Sequence, residues 1–261
     1  MTVETVRIDD RYRGFPGIAM GGFAGGLLSR RVGSEAEVTF RRPIPTEEAL
    51  SVVESDDGAE LRNDGDVAAT ATATAVAVDL PDPVSLADAE AATRSYPGHR
   101  THPYPSCFTC GPDRPEGDGL RVFPAPVGDG PDEDGPVGIG PLVAAAWTPH
   151  PDHADADGVL PPEIVWSAVD CSSIWPVIEV AAPDSRDHVV TGRLAVRLDA
   201  PIRAGDPHVV AAWPLGNPDG KRLAAAAVLD ESGDVKAVAR HTLVVTDWGV
   251  PLGMATWDGV E

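Results

Sequence analysis

The chain has 261 residues, 43% of them hydrophobic, with 41 acidic against 20 basic side chains and a formal net charge of −21. That length and apolar content exclude a disordered chain and support a core in one large domain or two small ones. Only two lysines occur, Lys221 and Lys236, and the arginines are scattered, so there is no clustered basic face to track phosphates and nucleic-acid binding is not expected.

The first ten residues, MTVETVRIDD, lack the apolar core of a signal peptide, which makes a cytoplasmic location the expectation. The longest weakly polar run, 67–80, is too short and too rich in threonine to span a bilayer. Much of the acidity sits in loops at 129–134 and 152–157 and serves solubility. Abundant alanine, aspartate, valine and arginine with little lysine points to a GC-rich bacterial source.

Residues 2–8 read as a first strand. Six glycines between 14 and 26 are poor for a helix. Ile18, Phe23, Leu27 and Leu28 nevertheless mark an apolar face, so 21–31 reads as a short helix able to lie close against a sheet. The alternating EAEVTFRR at 35–42, then 50–54, 59–62 and 67–78, predict four antiparallel strands, with turns at Asp57-Gly58 and 63–65. Prolines at 81, 83, 97, 103 and 105 mark a linker, with a short alanine-rich helix at 86–94. Strands are expected at 120–123 and 138–147. A buried helix follows at 161–175, opened by two prolines where missing amides cost little and ended near Pro176. Further strands are expected at 191–198, 208–213, 222–229 and 235–246.

The second half repeats the order of the first. VTFRRPI at 38–44 aligns with VRLDAPI at 196–202, an offset of 158, and Met20 aligns with Pro161, an offset of 141. Two strand–helix–four-strand units, at 1–80 and 119–261 with a linker at 81–118, would pack as a pseudo-dimer. The fold class is therefore α+β.

These elements resemble the hotdog fold, in which a curved antiparallel sheet wraps a central helix, and the two units resemble a tandem, or double, hotdog. Within that fold, acyl-CoA thioesterases of the phenylacetate-pathway type carry His-Gly-Gly at the helix start and an Asp nine residues after the His. Here the count from Pro161 reaches Asp170, while the count from Met20, through Gly21 and Gly22, reaches Ser29. One helix keeps the carboxylate and the other keeps the glycines; the His is missing from both. The segment CFTCGPDRPEGDGLRV at 107–122 is similar to a Cys-x-x-Cys-Gly-Pro stretch that precedes the hotdog in some thioesterase-like proteins.

The resemblance implies an acyl-CoA or acyl-carrier thioester hydrolase with one site between the units. Asp170 would act as general base or nucleophile, facing the amides of Gly21 and Gly22 at the other helix start, where unpaired N–H groups and the helix dipole stabilise a developing oxyanion. The reciprocal pair, Ser29 with Pro161-Pro162, is disabled because proline has no amide to donate. Ser173, Trp166 and Glu163 are candidate substrate-binding residues. Against these stand plain structural roles: a back-bonded serine, a core tryptophan, a first-turn carboxylate. A non-catalytic hotdog binding an acyl thioester or other apolar ligand is the alternative. A dehydratase is disfavoured, since no His follows Asp170 before His188. Hotdog units pair, so a homo-oligomer is compatible with the chain.

Three cysteines, Cys107, Cys110 and Cys171, make no disulfide framework and fit a reducing compartment. Zinc needs four ligands. His99 and His102 lie near Cys107 and Cys110, but no second cysteine pair exists, so no metal and no cofactor are expected; the same holds for His150 and His153. No G-x-S-x-G, G-x-G-x-x-G after a strand, or Walker A motif is present.

Overall fold

The computed structural model describes residues 2–128, 142–178 and 188–246. The chain begins with β1 (Thr2–Val6), a short hairpin of β2 (Arg13–Phe15) and β3 (Ile18–Ala19), and helix α1 (Gly21–Ser29). Four strands follow: β4 (Glu35–Phe40), β5 (Leu50–Ser55), β6 (Gly58–Asn63) and β7 (Asp66–Ala73). Helix α2 (Leu86–Arg94), β8 (Ala125–Pro126) and β9 (Val143–Trp147) lead to α3 (Pro162–Ile174). The chain then forms β10 (His188–Leu198), β11 (His208–Gly216), β12 (Lys221–Asp230) and β13 (Val235–Thr246). All but β2 and β3 join one eleven-stranded sheet in the order β1-β5-β6-β7-β4-β10-β13-β12-β11-β9-β8.

The halves of that order are the same path walked twice. β1-β5-β6-β7-β4 matches β9-β11-β12-β13-β10, and the two meet where β4 pairs antiparallel with β10. Register shows the symmetry. Ala36 faces Val196 and Val38 faces Leu194, so the offset of 158 maps one pair onto the other about the Glu37–Ala195 pair. The helices obey the same dyad. A Cβ on Gly22 would lie 2.7 Å from Ser167 Cα, and one on Gly26 would lie 2.3 Å from Glu163 Cα. Gly22 and Glu163, and Gly26 and Ser167, are each 141 apart. Only hydrogen side chains let α1 sit this close to α3, which explains a helix made of poor helix formers.

Period-two burial sets the sheet faces. Leu194 and Val196 of β10 and Ala237, Ala239, His241 and Leu243 of β13 are all buried. In the second half the opposite face is covered too: α2 packs there, with Ala89 buried against Ala144, Val209 and Ala211. Covering on both faces suits the continuous Ala224–Val228 run of small side chains. Ser85 caps α2, its Oγ accepting the Asp88 amide at 3.1 Å.

Residues 81–118 are more than a connector. Tyr96 and Phe108 are buried in the main core, and the Tyr96 hydroxyl donates to the Cys110 carbonyl at 2.9 Å. No strand forms at 120–123: Arg121 has φ 56°, and the amides of Leu120 and Val122 donate to the carbonyls of Phe108 and Thr109 instead. Of the expected 138–147 strand, 143–147 is observed and 138–141 lies outside the described residues, as does the loop at 129–134.

Candidate functional site

The site is assembled at the crossing of α1 and α3. Asp170 lies in the third turn of α3 on the face turned toward α1, and is 2% exposed. Its Oδ2 accepts the Gly22 amide at 2.5 Å, and its Oδ1 accepts the Thr191 hydroxyl at 3.0 Å. Nε2 of His241 stands 3.5 Å from Oδ1. On its other side the imidazole meets Ser173, with Nδ1 to Oγ at 2.6 Å, and Ser173 also bonds the Asp170 carbonyl at 2.8 Å. Helix α1 contributes an amide, α3 the carboxylate, β10 a hydroxyl and β13 an imidazole.

Burial dominates the electrostatics. It pushes the Asp170 carboxyl up to about 7, against the lowering effect of its bonds to Gly22 and Thr191. Burial also drives His241 down to about 3, so the imidazole is neutral. Because the Ser173 hydroxyl donates its one proton to the Asp170 carbonyl, it accepts from Nδ1–H of His241, and the neutral ring turns its unprotonated Nε2 toward the carboxylate. The N-terminus of α1 adds partial positive charge at Oδ2.

A cavity of about 130 Å³ opens beside the carboxylate. Asp170, Gly21 and Thr191 form its polar end, and Phe15, Met20, Ile174, Trp175, Ile178 and Val189 are among its apolar walls. Gly21 is the first residue of α1, where an amide has no partner within the helix. No acceptor for it occurs among the described residues.

The residues expected from the sequence are divided by the structure. Asp170, Gly21 and Gly22 come together, but Asp170 and Gly22 touch directly, so the Gly22 amide positions the carboxylate and is not free for a substrate oxygen. Trp166 does not line the cavity: its ring packs over Gly25 in the helix crossing. Glu163 lies at the far end of that crossing, where Arg30 binds it through two hydrogen bonds of 2.7 and 2.9 Å. Ser173 sits behind the carboxylate as a link to His241, away from the cavity lining. Thr191 and His241 were not singled out from the sequence. The signal for His241 was its place in β13, one polar residue on the inward-facing series 237, 239, 241, 243.

No protein-family model matches the sequence, and no curated protein matches it. Solved structures do match. The tesB protein of Mycobacterium avium subsp. paratuberculosis superposes with a TM-score of 0.60 at 13% identity, covering 94% of this chain and 93% of that one. A putative thioesterase II from Thermobifida fusca gives 0.58 at 16% identity over 94% and 92%. A protein with the hot dog fold from Alicyclobacillus acidocaldarius gives 0.57 at 14% identity over 94% and 93%. The fold is a double hotdog. In the double hotdog the dyad position of Asp170 is Ser29, whose hydroxyl turns back to the Gly26 carbonyl at 2.8 Å. The dyad position of His241 is Ala73, since Ala36 pairs with Ala73 as Leu194 pairs with His241.

Proposed function

We propose that the protein hydrolyses acyl thioesters, with acyl-CoA as the substrate class, at one site per chain. The observation that carries this reading is a buried carboxylate, Asp170, docked on the Gly22 amide at the start of the opposite unit's helix, beside the free Gly21 amide and at the polar end of an apolar cavity. The acyl chain occupies the apolar walls and brings the thioester carbonyl to the Gly21 amide. As water attacks, that carbonyl oxygen gains negative charge, and the unpaired N–H at the positive end of α1 stabilises it. Asp170 takes the proton from the attacking water. Gly22 and Thr191 hold the carboxylate in position, and His241 lies beside it as a neutral dipole. Collapse of the tetrahedral intermediate expels the thiolate, which takes up a proton, and releases the acid.

The Thermobifida fusca protein, named as a putative thioesterase II, supports the substrate class by likeness of fold. No helix among the described residues is long and apolar enough to cross a membrane; a cytoplasmic location fits an acyl-CoA substrate. Thiol release from a panel of acyl-CoAs of graded chain length tests the reading. Turnover of at least one member is expected, falling by roughly a hundredfold or more in D170N, the size of effect general-base catalysis supplies. Cleavage of none, or a D170N enzyme as active as wild type with an unchanged melting temperature, would overturn it. Saturable acyl-CoA binding without turnover would favour the ligand-binding alternative, which the apolar cavity alone satisfies.

A further inference from the structure

Next to the carboxylate, along the wall of the same cavity, the three cysteines of the chain converge. Cys107 and Cys110 come from the loop between α2 and β8 and Cys171 from α3, one residue after Asp170. All are buried, and their sulfurs lie within 4.8 Å of one another. Cys171 Sγ is 3.1 Å from Cys110 Sγ and 3.6 Å from Cys107 Sγ. Tetrahedral zinc with Zn–S bonds of about 2.3 Å sets its sulfurs roughly 3.8 Å apart, so small outward shifts would accommodate the ion.

The loop around Cys107 and Cys110 is shaped as a metal-binding turn. The amides of Thr109 and Cys110 point back at Cys107 Sγ, as N–H groups do toward a thiolate ligand. The Gly111 amide donates to the Cys107 carbonyl at 3.0 Å. A Cβ on Gly111 would come within 2.5 Å of the carbonyl oxygens of Pro105 and Cys107, so the turn closes only with glycine there. His102 supplies a nitrogen at the same place, with Nε2 3.3 Å from Cys110 Sγ.

We propose that Cys107, Cys110 and Cys171 bind a zinc ion as three thiolates, with His102 as the fourth ligand. The absence of a second cysteine pair in the loop argued against a metal; the third thiolate comes from a helix 61 residues beyond Cys110. Zn²⁺ replaces the thiol protons, which leave to solvent, and no electron is transferred. Three thiolates and a dication leave one net negative charge, which the loop amides help to hold. The His102 Nδ1 here accepts the Tyr104 amide at 2.9 Å. Ligation through Nε2 moves the ring proton to Nδ1, so that hydrogen bond is given up when the metal binds. The ion ties the loop bearing Pro103 and Tyr104, a wall of the cavity, to the helix bearing Asp170.

The test is metal analysis of the intact protein purified without chelator or affinity metal. About one zinc per chain is expected, together with an X-ray absorption spectrum of three sulfurs and one nitrogen. Replacing zinc with Co²⁺ should give tetrahedral d–d bands and a thiolate-to-cobalt charge-transfer band. C171S, and separately H102A, should lower Co²⁺ affinity at least tenfold while circular dichroism stays that of wild type. If C171S does not fold, chelation of wild type followed by Co²⁺ titration carries the same readout. Three thiols reacting freely in native protein that takes up no Co²⁺, or a Cys110–Cys171 disulfide in protein purified anaerobically, would overturn the proposal. So would a spectrum with fewer than three sulfurs. None of these readouts depends on thioester hydrolysis, so this proposal and the proposed activity stand or fall separately.

Discussion

Asp170 gains its place from three contacts that belong to three different elements. Thr191 is the most exposed to test, because its hydroxyl is the only side-chain donor hydrogen-bonded to the carboxylate among the described residues. T191V keeps the shape and removes the donor. A hydrogen bond to a charged acceptor contributes about 1.5–3 kcal/mol, so steady-state assay of T191V should show a fall in kcat/KM of roughly tenfold to a hundredfold with the melting temperature little changed. His241 makes a different prediction. Its folded value, about 3, lies below its ordinary value of 6.5. The unfolded chain therefore binds the extra proton first, and the stability His241 allows above pH 6.5 is lost as pH falls toward 3. H241Q keeps a hydrogen-bonding side chain and cannot titrate. Relative to wild type, its unfolding free energy in urea should improve by on the order of 1 kcal/mol for each pH unit below 6.5; parallel profiles would contradict this. At this scale the sequence showed Asp170 by its isolation on an apolar helix and by its count from Pro161. It hid Thr191 and His241, which reach the carboxylate through strand pairing, 21 and 71 residues away along the chain. Trp166 and Glu163 were misread because helical spacing identifies a face but not what lies opposite it: for both, that was α1.

At the level of elements, the contact between α1 and α3 decides whether the site exists. Gly22 and Gly26 are the points of closest approach, and a methyl group at Gly26 would meet the backbone of Glu163 and Pro162, which cannot swing aside. G26A should therefore push the helices apart although alanine is the better helix former. The expected cost is about 1–3 kcal/mol, the usual range for an overpacked core, read as a lower denaturation midpoint. Because the same shift draws the Gly22 amide away from Asp170, activity should fall with it. An unchanged midpoint would show that the helices have room the structure does not indicate. Most strands and the helices α1 and α3 were legible as alternating or apolar runs, and the boundaries of 235–246 and 86–94 agree with β13 and α2. The failures lie where the backbone departs from regular pairing. Residues 120–123 look like a strand by composition, but Arg121 turns left-handed and the segment bonds to the Cys-x-x-Cys loop. The hairpin at 13–19 was hidden by its glycines and proline.

On the scale of the whole molecule, a repeated unit has lost symmetry in its side chains while keeping it in its backbone. The dyad that relates Ala36–Val196 to Val38–Leu194 also relates Asp170 to Ser29 and His241 to Ala73. At the far end of the crossing the Arg30–Glu163 ion pair lies where the Gly22–Asp170 bond lies at the near end. The offsets of 158 and 141 were readable because the Pro-Ile landmark recurs. That the halves share one continuous sheet through β4 and β10 was not readable, since nothing in either strand names its partner across 158 residues. A symmetric backbone with one equipped end of the crossing predicts one site per chain. Calorimetric titration of the wild-type protein with a non-hydrolysable thioether analogue of acyl-CoA counts those sites directly. The account predicts a stoichiometry of about one per chain, abolished by a bulky substitution at Gly21, where a new side chain would meet Thr191 and Asp170. Two sites per chain, or binding indifferent to Gly21, would contradict it.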